Sequence, residues 1–187
     1  MKRIWIAIVK LFGWHLEIPD MAARPELQHC VIAVAPHTCV EDYLCGVALL
    51  WAMKLNVRIF IKKEFFVPVI GRLLKRFGAV PVDRGNRHNG LVASAVEALG
   101  STERLTIVIT PEGTRKPVRR WKRGFYEIAV KANVPIVAGY VDFRTKTLSV
   151  GPTFIPTGDF EADLPQIMKL YENVTPKYPE KYNKTVK

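Results

Sequence analysis

From residue 29 onward the chain alternates short apolar runs with longer segments whose apolar residues recur every three or four positions. "CVIAVA" (30–35) is an unbroken apolar run of strand length, and in "DYLCGVALLWAMKL" (42–55) Leu44, Val47, Ala48 and Trp51 fall at helical spacing. "VRIFI" (57–61) is a β-branched strand. A helix is expected over 68–77, with Pro68 tolerated in its first turn and Gly78 ending it. The proline of "AVPV" (79–82) makes that strand an edge or puts the residue early in it. Helix 88–100, the buried strand "RLTIVIT" (104–110), helix 123–133, strands 134–141 and 146–151, and an amphipathic helix at 163–174 complete the pattern. This rhythm predicts an α/β fold in a single domain, a mixed, mostly parallel sheet flanked by helices. No repeat, linker or second domain interrupts it. The expected division is an N-terminal amphipathic helix over 1–16, a globular domain over 17–175 and a polar tail over 176–187 that frays.

The N-terminal stretch "MKRIWIAIVKLFGW" puts Ile4, Ile8, Leu11 and Phe12 on one helical stripe, with Trp5 and Trp14 near its ends and Lys2, Arg3 and Lys10 supplying charge. It reads either as an interfacial helix on an anionic membrane or as a terminal helix packed on the domain, and both can hold at once. No segment reaches the roughly 18–20 apolar residues that span a bilayer. Gly13-Trp14-His15 follows where a signal peptide would carry a small-residue cleavage site. The protein is therefore expected to be peripheral, or monotopic, on the cytoplasmic face of the cell membrane.

Charge sharpens the choice of partners. Against 17 Asp+Glu the chain carries 28 Lys+Arg, a net +11, which favours anionic partners: nucleic acid, anionic lipid, an acidic carrier protein or a phosphorylated substrate. Three cysteines without CxxC spacing argue against a zinc site or a disulfide framework and fit a reducing compartment. "RKPVRRWKR" (115–123) holds six basic residues in nine. It lacks the aromatic spacing of RNA-binding motifs and any zinc-finger or recognition-helix pattern, so nucleic acid is not expected as a partner. The preferred reading is a patch meeting anionic lipid or an acidic carrier protein, with Trp121 at headgroup depth.

In α/β sheets chemistry gathers in the loops beyond the strand C-termini. Here those loops deliver Pro36-His37 with Asp42 following, Lys62 and Lys63, Arg84, and Pro111-Glu112-Gly113-Thr114-Arg115. On one continuous helix a separation of five residues would hold His37 and Asp42 about 140° apart. They converge only if His37 stays in the turn while Asp42 enters the first helical turn. The carboxylate then accepts one ring N–H and fixes the tautomer, which is the base half of a triad without its serine. The nucleophile would be a substrate hydroxyl. Taken alone, such a pair is more often an incidental polar loop, and Asp42 also suits a helix start. Gly113 permits a tight turn, and Thr114 and Arg115 suit an oxyanion or phosphate. An arginine in a surface turn is the plain alternative. Jointly the four loops describe a cationic site fit for a phosphomonoester.

The set "PHTCVED", "IKKEFFVPVIGRLLKRFGAVPVDR", "PEGTR" and "VPIVAGY" resembles, in order and spacing, the four blocks of the glycerolipid acyltransferases, that is, the 1-acylglycerol-3-phosphate (lysophosphatidic acid) acyltransferases and their relatives. The resemblance spans residues 30–141, three fifths of the chain. It implies a glycerol-3-phosphate acyltransferase-like fold. In it His37 is the general base toward the acceptor hydroxyl and Asp42 orients it, while Arg84, Glu112, Gly113, Thr114 and Arg115 bind the acceptor. Lys63 or backbone N–H groups steady the tetrahedral intermediate, and apolar helices line a slot for the acyl chain. The donor would be acyl-ACP or acyl-CoA as co-substrate, with no metal and no bound cofactor. Three positions depart from the family pattern: Cys39 stands where serine is usual, Glu41 where a bulky apolar residue is usual, and Ala138 where a second proline is frequent. Cys39 reads as a buried inert thiol rather than a covalent acyl carrier. The sequence thus predicts an acyltransferase acting on a lysophospholipid, most naturally 1-acylglycerol-3-phosphate. An O-acyltransferase for an amino-acid lipid or other hydroxylated lipid is the first alternative, and a non-catalytic basic module binding membranes or nucleic acid the second.

Overall fold

The computed structural model describes residues 2–76, 78–82 and 90–186. Its seven strands are β1 (His15–Leu16), β2 (His29–Val34), β3 (Val57–Lys62), β4 (Ala79–Val82), β5 (Leu105–Ile109), β6 (Ile136–Asp142) and β7 (Thr147–Phe154), forming one sheet in the order β1-β7-β6-β2-β5-β3-β4. Every pairing is parallel except β6 with β7, which run antiparallel. The chain is a single α/β domain. β2 lies at the centre, and Cys30, Val31, Ile32 and Ala33 are at most 1% exposed. A central parallel strand is covered on both faces, which is why this run reads as continuously apolar.

Alternation along β2 assigns the two faces. Val31 and Ala33 belong to one core with α4 (Leu91–Gly100), α5 (Gly124–Ala132) and α6 (Phe160–Lys169); Cys30 and Ile32 belong to the other, with α1 (Lys2–Leu11) and α2 (Glu41–Ala52). α3 (Pro68–Arg76) joins the second layer: Ile70, Leu73 and Leu74 line one cavity with Ile59, Ile61 and the α2 side chains. α1 lies on α2 through Trp5, Ile6 and Val9; Trp5 Nε1 donates to the Leu44 carbonyl at 3.0 Å, and Lys2 sits over the Trp51 ring. The stripe read from the sequence therefore points outward: Ile4 is 64%, Leu11 86% and Phe12 69% exposed. Among the described residues no helix is long and apolar enough to cross a membrane.

Pro81 falls on β4, the sheet edge, as its missing N–H requires. Elsewhere the pattern was incomplete. β1 has only two residues and no periodicity to detect. The last helix begins at Phe160 rather than 163 because Asp159 caps it, accepting the N–H groups of Glu161 and Ala162 at 3.0 and 3.2 Å, and it ends at Lys169. The expected start of the fourth helix at residues 88 and 89, and the end of the third at Phe77, lie outside the described residues. The tail is docked rather than frayed. Tyr178 N–H reaches Thr38 Oγ1, Lys177 pairs with Glu41, and Asn183 donates to the Val118 carbonyl at 3.1 Å.

Candidate active site

β2 and β5 are adjacent and parallel, so the loops that follow them emerge at the same end of the sheet. The first runs from Ala35 through a cis peptide bond to Pro36, then His37, and enters α2 at Glu41. His37 thus stays outside the helix and Asp42 lies in its first turn, the arrangement their spacing demands. His37 Nδ1 is 3.2 Å from Asp42 Oδ2, and the same oxygen accepts the backbone N–H groups of Thr38 at 2.7 Å and Cys39 at 3.0 Å. An ionised carboxylate only accepts, so against Asp42 in that form Nδ1 is the nitrogen that donates, and in the neutral ring the lone pair then falls on Nε2. Asp42 is 2% exposed, and its side chain folds the loop back over the helix start.

Cys39 and Glu41 have structural explanations. The Cys39 thiol is buried and donates to Asp42 Oδ1 at 3.1 Å. Burial, reinforced by the Asp42 carboxylate, pushes it up to about 12, so it remains a thiol and is no nucleophile at neutral pH. Glu41 turns toward the tail, where Lys177 holds its carboxyl low.

Glu112 occupies a different position from the one expected of an acceptor-binding group. It is 5% exposed, and both carboxyl oxygens accept the His37 backbone N–H, at 3.0 and 3.1 Å. Burial pushes this carboxyl up to about 8, against the lowering effect of the His37 bond. It ties the loop after β5 to the loop after β2. Gly113 follows at φ +64°, a left-handed conformation that glycine adopts freely; a Cβ there would also come within 2.8 Å of Lys122 Cε. That turn brings Thr114 and exposed Arg115 to the wall of a cavity of about 680 Å³, in the roughly 300–1,000 Å³ range of small-molecule sites. His37 and Asp42 line the same cavity. Beyond these residues the lining is mostly apolar, with Tyr43, Thr110, Tyr140 and Ser149 as its polar exceptions, and it is drawn mainly from the sheet, α2 and α3.

Of the other expected site residues, Lys63 is exposed at the start of a 3-10 turn, Lys63–Phe65, whose Phe65 lines the cavity. The side chain of Lys62, the last residue of β3, and all of Arg84 lie outside the described residues. Trp121 is not at headgroup depth: it is 4% exposed and stacks edge-on with Phe125 and Tyr171, although Arg115, Lys116, Arg119 and Arg120 around it stay exposed. Tyr43 escaped the sequence reading. It lines the cavity next to Asp42, and its buried hydroxyl has no hydrogen-bond partner among the described residues. Its only signal in the sequence is adjacency to Asp42. Among the described residues no group of three or more His, Cys, Asp or Glu is placed to hold a metal ion.

A family model described as Acyltransferase matches residues 16–141. No curated protein sequence matches the chain. Among solved structures the chain is similar to the 1-acyl-sn-glycerophosphate (LPA) acyltransferase PlsC from Thermotoga maritima, with a TM-score of 0.63 and 16% identity over 92% of this chain and 76% of that one. At this identity the likeness concerns the fold.

Proposed function

The chain belongs to the acyltransferase family, and from that premise we propose that it moves a fatty acyl group from acyl-ACP or acyl-CoA to the free hydroxyl of a lysophospholipid, 1-acylglycerol-3-phosphate being the preferred acceptor. One observation carries this reading: His37, with Nδ1 committed to Asp42, stands at the polar end of an apolar cavity large enough for an acyl chain.

His37 Nε2 takes the proton of the acceptor hydroxyl as its oxygen attacks the thioester carbonyl. The tetrahedral intermediate then collapses, breaking the C–S bond, and the proton held on His37 passes to the leaving thiolate. Asp42 holds the ring and stabilises the imidazolium while it lasts. Backbone N–H groups or Lys63 meet the oxyanion. Thr114 and Arg115 hold the acceptor phosphate, assisted by Lys62, Lys63 and Arg84, and Gly113 supplies the turn that presents them. Glu112 acts as a positioning residue, holding the backbone of His37.

The outward residues of α1, Ile4, Ile8, Leu11 and Phe12, flanked by Lys2, Arg3 and Lys10, support peripheral attachment to the anionic cytoplasmic face of the membrane. The test is a screen of hydroxylated lipids with labelled acyl-ACP and acyl-CoA, read by lipid mass spectrometry. Labelled product from a lysophospholipid is expected. Product only from an amino-acid lipid would move the acceptor assignment, and no product from any lipid would remove the catalytic reading.

A further inference from the structure

Large apolar side chains are not exposed evenly over the two helical layers. Among the described helical residues the α4–α6 layer exposes Val130, at 39%, whereas the opposite layer exposes, besides the α1 stripe, Val69, Ile70 and Leu73 of α3, Val69 to 79%. Outside the helices, Val40, Phe65 and Val67 are exposed next to α2 and α3, as are Ile18 and Ile155 elsewhere.

α3 explains how they come together. Successive residues turn by about 100°, so with Val69 taken as zero, Leu73 lies at about 40° and Ile70 at about 100°. Arg76, Arg72 and Lys75 follow at about 340°, 300° and 240°. Gly71, at about 200°, is the buried residue, close against the backbone of Phe66. The direction opposite the buried side is therefore held by Val69 and Leu73, with basic residues along one flank and Ile70 along the other. α3 contains no acidic residue. Leu73 and Ile70 are exposed and also line the cavity, so the cavity wall and the exposed face are the same side chains.

We propose that α3 and the segment before it (residues 65–76) form a second lipid-contact surface, which seats the cavity mouth directly on an anionic bilayer. The chemistry selects lipid over an acidic protein. A carboxylate-rich surface would answer Arg72, Lys75 and Arg76 but would set its charges against Val69 and Leu73, whereas a bilayer offers anionic headgroups and, a few ångströms deeper, hydrocarbon. α1, on the same layer, presents the same combination. An amphiphile could then pass between bilayer and cavity along Ile70 and Leu73 without its chain crossing water. That use of the surface rests on the acyl-transfer reading; the contact itself does not.

The experiment is co-sedimentation of the full chain with phosphatidylglycerol/phosphatidylethanolamine vesicles and with phosphatidylcholine vesicles. Circular dichroism and sedimentation velocity without lipid accompany each variant. Val67 and Val69 line no part of the cavity. V67D/V69D should keep its fold and bind anionic vesicles about tenfold more weakly. R72Q/K75Q should lose most of the preference for anionic over zwitterionic vesicles. V67D/V69D binding as tightly as the unaltered protein would overturn the proposal, as would an unaltered protein that binds neither vesicle. A dimer in the absence of lipid that V67D/V69D dissociates would overturn it too, giving the face to a second copy of the chain. No turnover is involved, so a failure of acyl transfer leaves this result standing.

Discussion

Asp42 Oδ2 lies 3.2 Å from His37 Nδ1 across five positions of sequence, and the same oxygen pins two of the four intervening N–H groups, those of Thr38 and Cys39. One oxygen thus shapes the loop and orients the ring. Asp42→Asn places an amide among those donors and weakens both functions. We expect kcat to fall by about 10²–10⁴-fold with little change in acceptor KM. Stability should fall by about 1–3 kcal/mol. Steady-state kinetics and urea unfolding check the two separately.

The burial of Glu112 predicts a pH signature. The carboxyl of Glu112 is raised from an ordinary 4.5 to about 8 by burial. Between those values the folded protein binds a proton that the unfolded chain has released, so this group's contribution to stability is full below about 4.5 and declines as pH rises to about 8. Gln accepts the same N–H without titrating. E112Q should therefore gain on the unaltered protein by a few kcal/mol between pH 5 and pH 8, of the order set by ~1.4 kcal/mol per pKa unit. Urea unfolding at both pH values would refute this if the difference between the two proteins did not move.

Arg115 stands at the cavity wall with its side chain exposed; in the proposed reaction it meets the acceptor phosphate without taking part in bond making. Arg115→Ala should raise the acceptor KM by about tenfold or more and leave the KM for the acyl donor nearly unchanged. Equal acceptor KM values would withdraw the phosphate assignment.

Gly113→Ala meets both a φ of +64° and the Lys122 side chain. We expect a loss of about 1–2 kcal/mol and a lower kcat, because the turn displaces Thr114 and Arg115. Thermal unfolding and kinetics on one preparation would show it; a variant as stable and active as the unaltered protein would contradict this role for the turn.

The fold was legible where side chains follow one period. β2 and β5 read as apolar runs because both faces are buried, and Pro81 pointed to an edge or an early strand position, of which the sheet order shows the edge. The spacing of His37 and Asp42 stated the condition for their meeting, since no continuous helix brings them together, and the loop before α2 meets that condition. What stayed hidden depends on distant partners. The role of Glu112 requires the loops after β2 and β5 to be neighbours, which only the sheet order provides. Trp121 sits among six basic residues in the chain but packs on Phe125 and Tyr171, so local composition misread its depth. The tail is polar and still ordered, because Lys177 and Tyr178 find partners in the loop at 38–41. α1 showed its outward stripe plainly and its inward contacts through Trp5 and Val9 poorly.

The central claim is that His37 removes the acceptor's proton. Its most direct measurement is the initial rate of transfer from labelled acyl thioester to the acceptor found in the lipid screen, for His37→Ala beside the unaltered protein, with folding and vesicle binding checked on the same samples. A rate lower by about 10³-fold or more, with fold and binding intact, is the expected result. A His37→Ala protein that transfers acyl groups at the unaltered rate would contradict it.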